Sequence, residues 1–177
     1  MMLRHSAGCL LMLLSTGCTL LPERPQRAAV HDFGPSPQGP GTAIAVDAPQ
    51  WLQDNRIRYR LLYADPTEVR YYTLDRWIAP PSLLLARRLE SIAAHGLQPR
   101  VQLLEFEQVF EAPGRAYVLV GLRVTAQLPG KPEPVAEQFL FKRPTATPDA
   151  AGAIAAFAEL ADELVRRIGG LLSGWAR

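Results

Sequence analysis

Residues 55–74 read NRIRYRLLYADPTEVRYYTL, and this stretch has the clearest alternation in the chain. Its first half places Ile57, Tyr59, Leu61 and Tyr63 on one side and Arg56, Arg58 and Arg60 on the other. A period of two with one polar face is typical of a half-buried β-strand. Asp65-Pro66 favours a turn, and EVRYYTL at 68–74 predicts a second strand. We therefore predict a β-hairpin here.

Further strands and a helix are predicted on both sides of the hairpin. Upstream, AAVHDF at 28–33 and AIAVDAP at 43–49 predict short strands separated by a loop rich in proline and glycine. Downstream, PPSLLLARRLESIAAHG at 80–96 predicts a helix that Gly96 ends in the left-handed conformation. Three more strands follow, namely VQLLEFEQVF at 101–110, AYVLVGLRVTAQL at 116–128 and VAEQFLFKR at 135–143. Short links of glycine and proline between them indicate an antiparallel meander.

A long amphipathic helix is predicted for the C-terminal region. Thr147 is expected to cap this helix, and Pro148 is expected at its first position. Its apolar stripe consists of Ile154, Phe157, Ala158, Ala161, Leu164, Val165, Ile168, Leu171 and Trp175. A single apolar stripe indicates a helix that packs one face on a sheet. The element order predicts an α+β fold, a two-layer sandwich in which two helices pack on one face of a mixed, mostly antiparallel sheet.

The first 17 residues have the features of a secretory leader. Arg4 supplies a positive charge, and an apolar run follows at 10–14. That run is far shorter than the roughly 18 to 20 residues needed to cross a bilayer, so a transmembrane helix is not expected. We predict a signal peptide over residues 1–17.

The residues around Cys18 resemble a bacterial lipobox, in which a signal peptidase cuts just before a cysteine that carries lipid. Small residues precede Cys18 at 15–17, although Ser15 stands where these motifs usually have leucine. The following segment has the composition of a tether. We therefore predict a lipidated N-terminus and tether over 18–28. The alternative is an ordinary cleaved leader with an incidental cysteine.

The composition argues against several kinds of site but does not identify a function. The only two cysteines are Cys9 and Cys18, so the body of the chain can hold no disulfide, cysteine nucleophile or thiolate metal site. A formal net charge of +2 gives no support to nucleic acid binding. Residues 29–177 are numerous enough to bury a core. Because no internal repeat is visible, we predict one domain over that range.

Catalysis and metal binding find little support in the sequence. His5, His31 and His95 have no partners at the spacing of a metal site or a catalytic triad. Glu105 and Glu107 share one face of a strand, an arrangement that can serve acid–base catalysis, but a solvated strand face is the simpler interpretation. No glycine-rich phosphate motif occurs. We predict no enzymatic activity, no cofactor and no metal site.

Two sets of residues are candidates for binding a partner. Arg76 and Trp77 lie where a strand meets a helix, and Trp77 is either a core side chain that fills this junction or an anchor for a partner. The second set, expected on the sheet face opposite the helices, is Arg58, Arg60, Tyr72 and Arg123. Arginine and tyrosine suit a protein partner or lipid headgroups. The alternative is an ordinary solvated sheet face.

The order of several short motifs resembles that of one known family, the ABC-type transport auxiliary lipoproteins, which include the paraquat-inducible protein C type. The motifs are Trp51-Leu52, Tyr59-Arg60, Val69 to Tyr72, and Arg76-Trp77 with Pro80-Pro81, followed by a helix. LEFEQVF at 104–110, FLFKRP at 139–144 and the alanine-rich final helix also fit. The resemblance covers essentially the whole mature chain and includes no catalytic motif.

This resemblance implies a non-enzymatic envelope lipoprotein, held at the periplasmic face of the outer membrane by lipid on Cys18. Members of the family accompany transporters whose periplasmic subunit carries a mammalian-cell-entry (MCE) domain, together with an ABC permease and an ATPase. Such systems move phospholipid or other hydrophobic molecules and support outer-membrane integrity. Thr19, where an aspartate commonly marks inner-membrane retention, favours the outer membrane.

Two other functions remain open at this point. A free-standing periplasmic lipid-binding lipoprotein would hold acyl chains in a cavity between the sheet and the helices. A periplasmic hydrolase is less well supported, because the chain lacks a recognisable set of nucleophile and base.

Overall fold

The computed structural model describes residues 27–35 and 43–177. Within them the strands are β1 (Ala29–His31), β2 (Val46–Asp47), β3 (Arg56–Leu61), β4 (Asp65–Trp77), β5 (Arg100–Ala112), β6 (Arg115–Ala126) and β7 (Val135–Pro144). The helices are α1 (Pro81–Leu89) and α2 (Ala150–Trp175). The predicted signal peptide, Cys18 and most of the predicted tether lie outside the described residues, as does most of the predicted loop at 34–42.

The seven strands of the described ranges form one sheet in the order β1-β4-β3-β5-β6-β7, with β2 paired to the start of β5. The long pairings β3–β4, β5–β6 and β6–β7 are antiparallel. The short pairings β1–β4, β2–β5 and β3–β5 are parallel. Both helices contribute to a single core against one face of this sheet. The predicted α+β sandwich, with a mixed and mostly antiparallel sheet, is therefore confirmed.

The predicted hairpin forms β3 and β4, but its pairing is irregular. Arg56 pairs with Arg76 and Arg58 pairs with Tyr71, so β3 advances two residues while β4 advances five. A bulge of this kind changes which side chains of the longer strand face the core. Ile57 is fully buried as the alternation predicts, whereas Tyr63 lies beyond β3 and is exposed.

Helix α1 is shorter than predicted. It starts with Pro81, where a missing N–H costs no hydrogen bond, and it ends at Leu89 instead of Gly96. His95 and Gly96 have positive φ angles of 51° and 79°, so the left-handed turn belongs to the loop after the helix. Ile92 remains buried in that loop because it packs into the core, although it is no longer helical.

Helix α2 also differs from the prediction at its start. Its N-cap is Asp149, and not Thr147, because Asp149 Oδ1 accepts a hydrogen bond of 2.8 Å from the Gly152 N–H. The Thr147 hydroxyl donates to the same oxygen at 2.7 Å. These bonds hold the pKa of Asp149 below its usual value. Pro148 therefore precedes the helix, which begins at Ala150.

The core lies between the sheet and the two helices. From α2, the most deeply buried large side chains are Phe157, Leu160, Leu164, Ile168 and Leu172. From the sheet, β5 and β6 supply alternate positions, interrupted by a bulge after Leu103, and these are Val101, Leu103, Phe106, Val118, Val120, Leu122 and Val124. The margins of the predicted stripe, namely Ile154, Ala158, Val165, Leu171 and Trp175, are only partly buried. The centre of the stripe is confirmed, and α2 is a core element.

Replacing Leu164 by alanine should test the packing of α2. Leu164 is 1% exposed, so Leu164→Ala leaves a cavity and should lower the free energy of unfolding by about 2 to 5 kcal/mol. Urea denaturation measures this loss. Arg166→Ala, at an exposed position of the same helix, is the control and should change stability by less than about 0.5 kcal/mol. Equal, small effects of both substitutions would mean that α2 is peripheral.

Candidate functional site

Alternate residues of the central strands separate the two faces of the sheet. In β6, Val118 and Val120 belong to the core with the helices, so Leu119, Gly121 and Arg123 lie on the opposite face. We call this opposite side the outer face. Because both described helices pack on the other side, the outer face is the surface of the sheet available to a partner.

An ion pair between Arg60 and Glu107 occupies the middle of the outer face. Arg60 Nε donates to Glu107 Oε1 at 3.1 Å, and Arg60 Nη2 donates to Oε2 at 3.2 Å. Arg60 Nη1 also donates to the Pro66 carbonyl oxygen at 2.9 Å. Glu107 is only 8% exposed, so its carboxylate requires a partner. Arg60 lies on the predicted face, but the structure uses it to neutralise Glu107.

Glu105 lies two residues from Glu107 on the outer face and is exposed. Burial raises the pKa of its carboxyl, and the Glu107 carboxylate raises it further, while Arg60 and Arg58 act in the opposite direction. Gly121 is paired with Glu105, and a Cβ at Gly121 would lie only 3.1 Å from the Glu105 Cβ. Glu107 is bound to Arg60, and Arg60 and Arg58 lie near enough to Glu105 to lower its pKa. The two carboxylates therefore offset the positive charge of these arginines on the outer face.

Arg58 and Arg123 are placed on the outer face as predicted. Arg58 is half-buried, and its Nη1 donates to the Trp51 carbonyl oxygen at 2.7 Å. Arg123 is exposed, and it lies between Gln102 and Gln138 in the ladders on either side. It also lines an open cleft of about 320 Å³, together with Asp47, Arg100 and Thr125. Of the predicted arginines on this face, Arg123 is the most accessible to a partner.

Tyr72 does not lie on the outer face, so this prediction is wrong. Its hydroxyl donates to Gln108 Oε1 at 2.6 Å, and Gln108 is fully buried on the helix side. Burial raises the pKa of Tyr72 well above its usual value. Gln108 Nε2 donates in turn to the Asp149 carbonyl oxygen at 3.3 Å. Tyr72 therefore ties the sheet to the start of α2.

Tyr71, which the sequence pattern did not single out, is the tyrosine that faces outwards. It pairs with Arg58, and the guanidinium carbon of Arg56 lies 3.7 Å from the centroid of its ring. Both tyrosines stand in the motif at 69–72, and only the bulge in β4 determines which one reaches the outer face. A regular hairpin drawn from the alternation of β3 gives no signal of that bulge.

Trp77 is fully buried, whereas its neighbour Arg76 is exposed. The Trp77 ring meets the rings of Phe33, Phe106 and Phe157 edge to face. This placement matches the core interpretation of Trp77, and its side chain is not available to a partner. Arg76 pairs with Arg56 and Val30 and points away from the core, because it alternates with Trp77 along β4.

The two histidines of the described ranges lie in separate places. His31 Nε2 is 2.9 Å from Asp75 Oδ1, and His95 Nε2 is 3.0 Å from Ser173 Oγ. His95 therefore lies beside the end of α2, in the loop that follows α1. Within residues 27–35 and 43–177, no three His, Cys, Asp or Glu side chains are grouped so that they could hold a metal ion. No helix in these ranges is long and apolar enough to span a bilayer.

Two solved structures share this fold. A Xanthomonas campestris protein of the family DUF330 has a TM-score of 0.62 and 16% sequence identity, over 77% of this chain and 88% of that chain. An uncharacterized protein has a TM-score of 0.59 and 10% identity, over 82% of this chain and 99% of that chain. No family model and no curated protein sequence matches the chain. At these identities the likeness establishes the fold alone.

The Arg60–Glu107 pair should contribute to stability, whereas Arg123 should not. Arg60→Ala leaves the Glu107 carboxylate buried without its bidentate partner, and should lower the free energy of unfolding by about 1 to 3 kcal/mol. Arg123→Ala should change it by less than about 0.5 kcal/mol. Urea denaturation of both variants measures the difference. If Arg60→Ala were as stable as wild type, Glu107 would have another cationic or aqueous partner.

Proposed function

We propose that this protein is a non-enzymatic lipoprotein, anchored at the periplasmic face of the outer membrane, that acts as the auxiliary subunit of an MCE-type ABC transport system for lipids or other hydrophobic compounds. The observation that carries the proposal is the motif series from Trp51-Leu52 to Pro80-Pro81, which resembles the auxiliary lipoproteins of such systems. In the fold, this series comprises the β3–β4 hairpin and the junction with α1. The motifs that support the proposal thus lie next to one another in the fold.

The packing between sheet and helices favours this proposal over a free-standing lipid carrier. The rings of Phe106 and Phe157 stack with centroids 4.1 Å apart, and Trp77 packs edge-on against both. These side chains fill the space in which a carrier would hold acyl chains. The two clefts at the start of β5, of about 380 and 320 Å³, are open and are lined in part by charged residues.

The contacts of the titratable groups favour a role without catalysis. Glu107 is held by Arg60, His31 by Asp75, and His95 contacts Ser173 in another part of the molecule. Acid–base or nucleophilic catalysis needs several such groups converging on one point. The described side chains are instead distributed over separate structural contacts.

The proposed docking surface for the MCE-domain subunit is the part of the outer face around Arg123. Arg123 and Arg100 supply positive charge at its accessible end, and Leu140 of β7, paired with Gly121, adds a side chain that is 61% exposed. Asp47 lines the same cleft, so its single carboxylate is outnumbered by the two arginines, and exposed arginines with an apolar neighbour suit carboxylates on a protein partner. The ABC permease and the ATPase would join through the MCE-domain subunit.

The anchor should depend on Cys18. Metabolic labelling with radioactive palmitate should mark the wild-type chain and Cys9→Ser, but not Cys18→Ser, because only Cys18 follows the lipobox-like residues. Cys9→Ser is the matched control, since it removes the other cysteine of the leader region. Label that persists in Cys18→Ser would exclude this site of anchoring.

Docking should depend on the charge of Arg123. The full-length chain would be crosslinked mildly in its own host and purified, and the recovered MCE-domain protein would be quantified by mass spectrometry. Arg123→Glu should reduce this recovery several-fold, because like charges across an interface oppose association. Arg167→Glu, which reverses an exposed arginine of α2, should leave the recovery unchanged.

Two outcomes would count against different parts of the proposal. If Arg123→Glu folds normally by its thermal melting curve and recovers the MCE-domain protein as wild type does, the docking surface lies elsewhere. If the wild-type chain recovers no MCE-domain protein, the transport function itself is wrong.

A further inference from the structure

Apolar side chains are exposed together at the β1–β4 edge of the outer face. Val30 of β1 and Leu74 of β4 are each 48% exposed, and Ile78, directly after β4, is 63% exposed. Val30 pairs with Arg76, and the Ile78 N–H donates to the His31 carbonyl oxygen at 2.8 Å. Because Trp77 points into the core, its neighbours Arg76 and Ile78 project to the outer side, and the exposed Leu74 precedes them on β4. Their side chains are therefore neighbours along one edge.

Trp51 lies at the same end of the sheet and is 64% exposed. Its carbonyl oxygen is held by Arg58 from the outer face. The Trp77 N–H donates to the Asn55 carbonyl oxygen at 2.8 Å, which places the start of β3 beside the end of β4. We call Val30, Trp51, Leu74 and Ile78 the edge patch. Single exposed apolar residues are common in soluble proteins, but a group at one site indicates a contact surface.

Cationic side chains accompany the edge patch. Arg76 is exposed between Leu74 and Ile78, and Arg56 lies over the Tyr71 ring while it pairs with Asp54. Arg27, two residues before the start of β1, is also exposed. Two aspartates lie at the same edge, Asp54 and Asp75, and Asp75 is bound to His31, so the three arginines leave this edge positive. Tryptophan, tyrosine and arginine beside exposed aliphatic groups are the residues enriched at the membrane–water interface.

The covalent chain limits how far this edge can lie from the proposed anchor. Cys18 and Arg27 are nine residues apart, and nine residues span at most about 30 Å when fully extended. Strand β1 starts at Ala29, and Val30 belongs to the edge patch. The tether therefore enters the domain beside the edge patch, and Arg27 lies within about 30 Å of the proposed lipid anchor.

We propose that the edge patch rests on the surface of a lipid bilayer with anionic headgroups. This inference depends on the proposed lipid anchor at Cys18. Val30, Trp51, Leu74 and Ile78 enter the interfacial region, while Arg76 and Arg56 meet the headgroup phosphates. A second copy of the chain is the poorer occupant, because it would bring like-charged arginines together.

Site-specific fluorescence tests the contact on the full, acylated chain. The body of the chain has no cysteine and the lipidated Cys18 has no free thiol, so Ile78→Cys, Leu74→Cys and Leu140→Cys each introduce a single labelling site. Leu140 is the matched control, because it is 61% exposed on the outer face but lies on β7, at the opposite edge of the sheet. The labelled proteins are reconstituted into vesicles of phosphatidylethanolamine and phosphatidylglycerol, with a nitroxide quencher attached to the lipid.

The labels at Ile78 and Leu74 should be quenched by the lipid nitroxide at least about twofold more than the label at Leu140. Replacing phosphatidylglycerol by phosphatidylcholine should weaken this quenching, and no change would overturn the role of anionic headgroups. Equal quenching at all three sites, or none, would overturn the contact. A third result would also overturn it. If the labels at Ile78 and Leu74 become shielded from an aqueous quencher only as the protein density on the vesicles rises, a second copy of the chain covers the edge patch.

Vesicle flotation of the same samples separates this inference from the proposed anchor. If the chain floats with the vesicles and the Ile78 and Leu74 labels are not quenched, the contact is wrong while the anchor stands. If the chain does not float, the anchor is wrong and the contact falls with it.

Discussion

The aromatic contacts of Trp77 hold together parts of the chain that are far apart in sequence. Its ring centroid lies 5.4 Å from that of Phe33, 6.0 Å from that of Phe106 and 5.8 Å from that of Phe157. These partners come from the segment after β1, from β5 and from α2. Edge-to-face pairs of this kind add about 0.5 to 1.5 kcal/mol each beyond their burial. The sheet and the helix layer meet at this cluster. The face of the sheet that carries Trp77 and Phe106 is therefore the face that α2 covers.

The placement of the helices determines the chemistry of the two faces. On the inner side, polar groups must be satisfied within the core, and Tyr72, Gln108 and Asp149 form a chain of hydrogen bonds that joins the sheet to α2. On the outer side, Arg60 neutralises Glu107, and Arg123 remains accessible. Arg123 therefore offers a partner an accessible positive charge on the side that the helices leave open.

The sequence predicted the regular parts of this fold and missed details that depend on tertiary packing. The β3–β4 hairpin, the meander and the core stripe of α2 follow from periodicity, which the local sequence determines. The direction of Tyr72 depends on a bulge in β4, where the pairing with β3 shifts between Tyr71 and Arg76. The early end of α1 at Leu89 likewise follows from packing, because Ile92 is buried without helical structure. Arg60 was correctly placed on the outer face, but its partner Glu107 stands 47 residues away, where no local pattern links them.

The two proposed contact surfaces share the outer face without overlapping. The edge patch belongs to the β1–β4 side, and Arg123 stands on β6, with β3 and β5 between. At about 4.8 Å per strand, β4 and β6 are about 14 Å apart. The intervening strands carry the Arg60–Glu107 pair, whose charges cancel, so the middle of the face attracts neither headgroups nor an acidic protein strongly. A domain tethered at β1 would thus hold its edge patch on the bilayer, while the surface around Arg123 lies three strands away from that edge. One chain could then contact the membrane and a transport subunit at the same time. An auxiliary subunit that links a transport system to a membrane needs two such separate contact surfaces.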